Sequence, residues 1–192
     1  ITYHGEDSTG AVGTQATLNV DVLDKVVGTV ANDMLTDNSE FDSDAIYGLG
    51  GDDTISGGAG DDLIVGGTGD DTLTGGTGAD TFAFMNGDEG TVGTPANDTI
   101  TDFEVGVDQI DISDFLSSFT SETAIELADL VDLREEGGNT IISLKSDGTN
   151  IDQEIMVENT SLDEFYGAES SGATEVDILQ KMLDDQSLIS HG

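Results

Sequence analysis

Apolar residues recur at every ninth position through the middle of this chain: Ile46, Ile55, Ile64, Leu73 and Phe82. Each follows an aspartate by two residues (Asp44, Asp53, Asp62, Asp71, Asp80) and sits in the middle of a triplet such as Thr54-Ile55-Ser56 or Leu63-Ile64-Val65. That pattern predicts a three-residue strand whose central side chain turns inward. Glycine-rich turns separate the triplets. Two nine-residue blocks then make one coil of eighteen residues, with a strand and a turn on each side. Turns two blocks apart stack on one edge, which places Asp44, Asp62 and Asp80 on one side and Asp53 and Asp71 on the other.

The flanking segments pattern differently. Residues 1–25 alternate, with Ala16, Leu18, Val20 and Val22 on one face after the turn Asp7-Ser-Thr-Gly10, and predict a β-hairpin. Residues 28–47 look like decayed blocks: Asp33-Met34-Leu35 and Asp44-Ala45-Ile46 keep the Asp-x-apolar core without the glycines, and a two-residue insertion separates them. Residues 85–96, with the chain's one proline at Pro95, predict a loop. Residues 97–165 read as β. Val131–Arg134 and Thr140–Leu144 flank the hairpin signal Glu135-Glu-Gly-Gly-Asn139, and Ile151–Val157 follows a second turn at Ser146-Asp-Gly-Thr-Asn150. A short helix is expected within 121–130. Val176, Leu179 and Leu183, beside Ile178 and Met182, predict an amphipathic helix near 174–188, capped by Thr174 with Asp177 in its first turn.

Composition narrows the partners. The 192 residues carry 41 acidic and 4 basic side chains, a formal net charge of −37. Nucleic acid and anionic membrane surfaces need lysine and arginine, so neither is expected to bind. Cations are the natural partners, and without them self-repulsion opposes any compact state. With no cysteine, disulfides, thiolate metal sites and cysteine nucleophiles drop out. No apolar run approaches the ~20 residues of a membrane span. Residues 1–20 lack a charged-then-apolar leader, so no Sec-type signal is expected there, and the start at Ile1 reads as a piece of something longer. Acidic, glycine-rich chains are often disordered, but drift does not keep a strict period of nine.

The clean blocks are Gly48-Leu-Gly-Gly-Asp-Asp53-Thr-Ile-Ser, Gly57-Gly-Ala-Gly-Asp-Asp62-Leu-Ile-Val, Gly66-Gly-Thr-Gly-Asp-Asp71-Thr-Leu-Thr and Gly75-Gly-Thr-Gly-Ala-Asp80-Thr-Phe-Ala. Leu49 replaces a glycine in the first, and Ala79 an acidic residue in the last. Glycines allow backbone conformations that turn carbonyl oxygens toward one point, and the aspartate adds a carboxylate. An ion between stacked turns meets two carboxylates and several carbonyls, the 6–8 hard oxygen ligands that calcium prefers. Magnesium fits less well because it demands tight octahedral geometry. Zinc calls for His or Cys, and His4 and His191 lie at opposite ends. The core is thin and its glycines are costly to order, so the metal-free chain is expected to be largely unfolded across 28–84.

The four blocks match Gly-Gly-x-Gly-x-Asp-x-apolar-x, a known calcium-binding β-helix repeat, and the chain resembles the RTX proteins that Gram-negative bacteria export by type I secretion. Asn97-Asp-Thr-Ile-Thr-Asp102-Phe-Glu-Val-Gly-Val-Asp108-Gln-Ile-Asp111-Ile-Ser-Asp-Phe-Leu is similar to the cap that follows such repeats, and the 139–158 hairpin and the Val176–Leu183 helix to the end of that domain. The resemblance implies a mostly β fold: a right-handed parallel β-roll, then a β-rich cap with a C-terminal helix. It divides the chain into an extender-like end (1–25), a calcium-binding roll (28–84), a cap (97–165) and a secretion signal (166–192).

It also implies the ligands. Carbonyls of the first four turn positions join the aspartates, which maps onto Gly48, Gly50, Gly51, Gly57, Gly58, Ala59, Gly60, Gly66, Gly67, Thr68, Gly69, Gly75, Gly76, Thr77 and Gly78, beside Asp44, Asp53, Asp62, Asp71 and Asp80. Asp33 at the decayed end, and Asp98, Asp102, Asp108 and Asp111 in the cap, are further candidates; for the cap residues an acidic solvated face is the equal alternative. The implied role is a non-catalytic module that an ABC transporter recognises through its C-terminus and that several Ca2+ ions fold outside the cell, as a monomer. Sites filled at roughly 10⁻⁴–10⁻³ M calcium are empty in the cytosol and occupied outside.

The parent is read as a large secreted, cell-surface adhesin, since residues 1–25 resemble the last hairpin of Ig- or cadherin-like extender domains upstream. The alternatives are the tail of a secreted protease or lipase, or of a pore-forming toxin. The chain contains no His-Glu-x-x-His and no Gly-x-Ser-x-Gly, so catalysis within it is not expected.

Overall fold

The computed structural model describes residues 25–37, 43–91, 93–117, 127–167, 173–184 and 186–189. The expected hairpin at 1–25, apart from Lys25, and most of the expected 121–130 helix lie outside them.

Two sheets build the molecule. One holds β1 (Lys25–Val27), β3 (Ala45–Gly50), β5 (Leu63–Thr68), β7 (Thr81–Ala83), β9 (Gln109–Asp111) and β13 (Leu188–Ile189), in that order and all parallel. The other runs β2 (Met34–Thr36), β4 (Thr54–Ala59), β6 (Thr72–Thr77), β8 (Ala96–Ile100), β12 (Gln153–Val157), β11 (Asn139–Leu144) and β10 (Val131–Glu136). The chain alternates between the sheets at each turn, as the nine-residue period requires.

Register follows the period. Ile46 pairs with Ile64 and Ile55 with Leu73, eighteen residues apart. Lys25 pairs with Ala45 and Met34 with Thr54, twenty apart, because the two-residue insertion falls inside both coils. The coil continues past Ala83: Thr72 pairs with Thr99 and Thr81 with Gln109, so β8 and β9 are further rungs after longer excursions.

The strands β3 to β6 are six residues long, not three. The turn glycines account for the difference. Leu49 pairs with Gly67 and Gly58 with Gly76 in the same parallel register as the apolar triplets, so each half-turn extends the ladder. Without a Cβ, stacked turns approach closely enough to hydrogen-bond.

Two apolar columns fill the interior. Val26, Ile46, Ile64, Phe82, Ile110 and Leu188 stack along one sheet. Leu35, Ile55, Leu73, Ile100 and Val157 stack along the other. From Ile46 and Ile55 onward both columns are buried. At the C-terminal end the core widens around Phe103, whose ring lies 6.2 Å from Phe82 and 5.6 Å from Phe165.

The β10–β11 hairpin turns through Gly137 and Gly138, both at positive φ, as a two-residue hairpin loop requires. Helices α1 (Leu162–Tyr166) and α2 (Glu175–Asp184) close the end. Thr174 Oγ1 donates to Asp177 Oδ2 at 2.7 Å and accepts the Asp177 N–H, which fixes the start of α2. Ile178, Leu179 and Met182 are buried. The helix stops at Asp184, short of 188, because Leu188 is taken into the sheet beside Ile110. No helix among the described residues is long and apolar enough to cross a membrane.

Candidate metal centre

The repeat aspartates form two ladders, one per edge. Asp33, Asp53, Asp71 and Asp98 share one edge, and Asp44, Asp62, Asp80 and Asp108 the other. Every link is the same hydrogen bond. The N–H of one aspartate donates to Oδ1 of its counterpart in the next stacked turn: Asp53 to Asp71 at 2.8 Å, Asp62 to Asp80 at 2.9 Å, Asp71 to Asp98 at 2.8 Å and Asp80 to Asp108 at 3.0 Å. Asp33 joins Asp53, and Asp44 joins Asp62, at 2.8 Å. Asp98 and Asp108 thus belong to the ladders. The signal was present in Asp98-Thr-Ile100 and Asp108-Gln-Ile110, which keep the Asp-x-apolar core after irregular spacing.

The neighbouring fifth positions form a second set of links with opposite polarity, which the sequence reading missed. Asp52 Oδ1 accepts the Asp70 N–H, Asp61 Oδ1 that of Ala79, and Asp70 Oδ1 that of Asn97. These side chains are exposed, so their charge is solvated.

The sixth-position carboxylates are not solvated. Asp53, Asp62, Asp71 and Asp80 are at most 2 % exposed, and Oδ2 of each has no hydrogen-bond partner. An unpaired buried charge is costly. Burial, ahead of charge repulsion along the ladder, raises all four above the ordinary carboxylate range, Asp71 and Asp80 to about 6.

The first glycine of each turn makes this arrangement possible. A Cβ at Gly66 would lie 2.2 Å from Asp71 Oδ2, and one at Gly75 2.3 Å from Asp80 Oδ2. At Gly48 it would meet Asp53 Oδ2 and the Gly66 carbonyl oxygen, both at 2.3 Å; at Gly57, Asp62 Oδ2 at 2.4 Å and the Gly75 carbonyl at 2.6 Å. A carboxylate oxygen from one turn therefore converges with a carbonyl oxygen from the next around a glycine. The second and fourth positions need positive φ: Gly58, Gly67 and Gly76 at 102°, 99° and 105°, with Gly51, Gly60, Gly69 and Gly78 at 98° to 144°. Gly50, Ala59, Thr68 and Thr77 fill the third position, which sets no such condition.

Hard oxygen donors, buried and anionic, suit a divalent cation such as calcium. No group of three or more His, Cys, Asp or Glu side chains capable of holding a metal lies together among the described residues. Turn carbonyls such as those of Gly66 and Gly75 would have to complete the coordination. The residues fit calcium on the strength of four orphaned buried oxygens and the glycine cradles beside them.

The remaining candidates differ. Asp33 Oδ2 accepts from the N–H and hydroxyl of Thr29 at 2.7 and 2.8 Å. Asp98 Oδ2 accepts from Gln153 Nε2 at 2.7 Å, and burial pushes Asp98 up to about 8. Asp108 Oδ2 accepts the Glu104 N–H at 2.8 Å. Asp102 is exposed and takes the N–H groups of Gly75 and Gly76, both at 2.9 Å, sealing the last clean turn. Asp111 lies apart from the ladders in β9, closing a local turn on the Ser113 N–H.

The family profile described as Peptidase M10 serralysin C terminal matches residues 17–176. The chain belongs to this family. Its fold is an RTX β-roll region, and solved structures agree. The AlgE6R3 subunit of the Azotobacter vinelandii mannuronan C5-epimerase is similar at 29 % identity and a TM-score of 0.51, over 74 % of this chain and 83 % of that one. The AlgE6R2 subunit of the same enzyme is similar at 25 % identity and 0.54, over 71 % and 85 %. No curated protein matches. Within the serralysin C-terminal frame the repeats account for every clean Gly-Gly-x-Gly block, and the 97–116 segment supplies the rungs that follow them.

Proposed function

We propose that this RTX region is a calcium-switched folding and export module. The observation that carries the reading is the set of four buried, unpartnered carboxylate oxygens on Asp53, Asp62, Asp71 and Asp80. With calcium absent these charges oppose closure of the roll, and the chain stays unfolded. With calcium bound the same oxygens become ligands, and binding energy adds to folding. The chain's own residues supply the rest: the Oδ1 links hold turn to turn, and the glycines admit the carboxylates. Millimolar calcium outside the cell and little inside then make folding follow export through a type I ABC transporter, which reads the C-terminal segment. No catalytic role is assigned to the module, and a monomer suffices.

Two parents fit. The extender-like pattern of residues 1–25 favours a secreted, cell-surface adhesin acting in adhesion or biofilm. The family match from residue 17 onward, overlapping that segment, favours the tail of a secreted protease of the serralysin type or a related RTX enzyme. The sequence upstream of Ile1 separates them: tandem extender domains in the first case, a zinc-binding helix in the second. Circular dichroism during a calcium titration, with magnesium as control, tests the switch. Cooperative gain of β signal near millimolar calcium alone is expected; a fragment equally folded after exhaustive chelation overturns it.

A further inference from the structure

At both ends of one aspartate ladder, and at the Asp108 end of the other, protein groups occupy the oxygen that is left open in between. We propose that the Gln153 amide, with Thr29 and the Glu104 N–H, stands in for a cation at Asp98, Asp33 and Asp108, so that the ladders stop taking up calcium there. The inference rests on the calcium reading above.

Six of the seven aspartates concerned offer Oδ1 to the preceding turn in the same way; the seventh, Asp33, accepts through Oδ2. They differ at Oδ2. For Asp53, Asp62, Asp71 and Asp80 it is open. For Asp33 and Asp108 a backbone N–H four residues earlier, Thr29 or Glu104, donates to it.

Backbone conformation explains the split. The residues four before the open aspartates are Leu49, Gly58, Gly67 and Gly76, all at positive φ. In that conformation none of the four N–H groups donates to the carboxylate's Oδ2. Thr29 and Glu104 are not at positive φ, and their N–H groups point to it. The second turn position thus decides whether the carboxylate is satisfied by its own turn or left needing a cation. Even the non-glycine at this position, Leu49, takes φ of 81° where its aspartate is open.

Asp98 uses a different donor. Its turn comes after the long loop, and β12 lies beside β8, with Gln153 paired to Ala96. Gln153 is 1 % exposed and its Nε2 reaches Asp98 Oδ2 at 2.7 Å. An amide N–H in place of a cation satisfies one oxygen with no ion, and lets β8 and β12 pair without waiting for calcium. A cation at that oxygen would have to displace the amide.

The test counts bound calcium by equilibrium dialysis on the full chain, folded in saturating calcium. Gln153→Ala should bind one more ion per chain than wild type, since Asp98 Oδ2 becomes open like that of Asp71. An unchanged count in a Gln153→Ala protein with wild-type circular dichroism overturns the proposal. If that variant does not fold, Thr29→Pro decides, because proline removes both the N–H and the hydroxyl that reach Asp33 Oδ2, at an exposed position on an outer rung: one extra ion supports the proposal and an unchanged count overturns it. A wild-type chain that binds no calcium overturns the underlying reading instead.

Discussion

The Asp53 N–H donates to Asp71 Oδ1 at 2.8 Å while the other oxygen of the same Asp71 carboxylate is buried with no partner. One side chain thus does two jobs. Its first oxygen fastens stacked turns; its second makes their closure depend on a cation. Asparagine separates the jobs, because it keeps the Oδ1 acceptor and removes the charge. Asp71→Asn is expected to retain more β signal in chelator than wild type and to raise the calcium midpoint at least ~10-fold, about 1.4 kcal/mol. Asp71→Ala, which loses both functions, should be less folded than wild type in either condition. Circular dichroism titrations of the three proteins check this.

The first glycine of each turn should tolerate no side chain. At Gly66 a Cβ would fall 2.2 Å from Asp71 Oδ2, with the rest of that side chain also in the way. Gly66→Ala must push the carboxylate aside, at about 1–3 kcal/mol on the scale of overpacked sites. Thr68→Ala, two residues on at an exposed position, should be near neutral. Thermal melting in saturating calcium compares them.

Leu49 occupies a glycine position. Its φ of 81° costs a non-glycine residue roughly 1–2 kcal/mol, and its side chain is 48 % exposed, so little burial offsets the strain. Leu49→Gly relieves it but loosens the unfolded chain by about 0.4–1 kcal/mol. The balance predicts a calcium-loaded protein stabilised by up to about 1 kcal/mol, read from its melting midpoint.

Much of this was legible in the nine-residue period. It located the inward column Ile46, Ile55, Ile64, Leu73 and Phe82, the two edges, and the first glycines, because a regular coil repeats its geometry wherever the sequence repeats. What broke the period was harder to read. Gly28 holds the first-glycine position five residues before Asp33, in a block that otherwise reads as having lost its glycines; a Cβ there would lie 3.0 Å from Asp33 Oδ2. Asp98 and Asp108 read from the sequence as candidate cap ligands, with an acidic solvated face as the equal alternative, and not as rungs, since their offsets of 27 and 28 residues conceal the stacking. The partner of Asp98, Gln153, lies 55 residues away and is brought near only by parallel pairing of β8 with β12. Local spacing carries no trace of such a contact.

Acidity should act in opposite directions with and without calcium. Burial raises Asp71 and Asp80 to about 6 and Asp98 to about 8, from 3.8. A carboxyl raised on folding takes up protons as the chain folds, so its contribution is fully present below about 3.8 and is lost as pH rises through the folded value. In chelator, β signal should therefore grow as pH falls from 8 toward 5. In calcium, protons compete for the open oxygens of Asp71 and Asp80, and the calcium midpoint should rise over that range. Titrations at pH 5, 6.5 and 8 measure both; a calcium midpoint independent of pH would separate these carboxylates from the binding site.

Phe103 joins roll to cap. Its ring lies between Phe82, an inward residue of the last clean repeat, and Phe165 of α1, and it is 7 % exposed. Asp102, beside it, holds the Gly75 and Gly76 amides, so the same short segment anchors both the core and the last turn. Deleting a buried phenylalanine side chain costs about 3–5 kcal/mol, and 1 kcal/mol moves the melting midpoint of a chain this size by roughly 2–4 °C. Phe103→Ala in saturating calcium should thus melt about 6–20 °C lower. Because no other ring bridges Phe82 to Phe165 among the described residues, roll and cap should fall together in one transition. Calorimetry distinguishes this from two transitions of which only the cap's moves, the outcome expected if the roll's stability came from its ions alone.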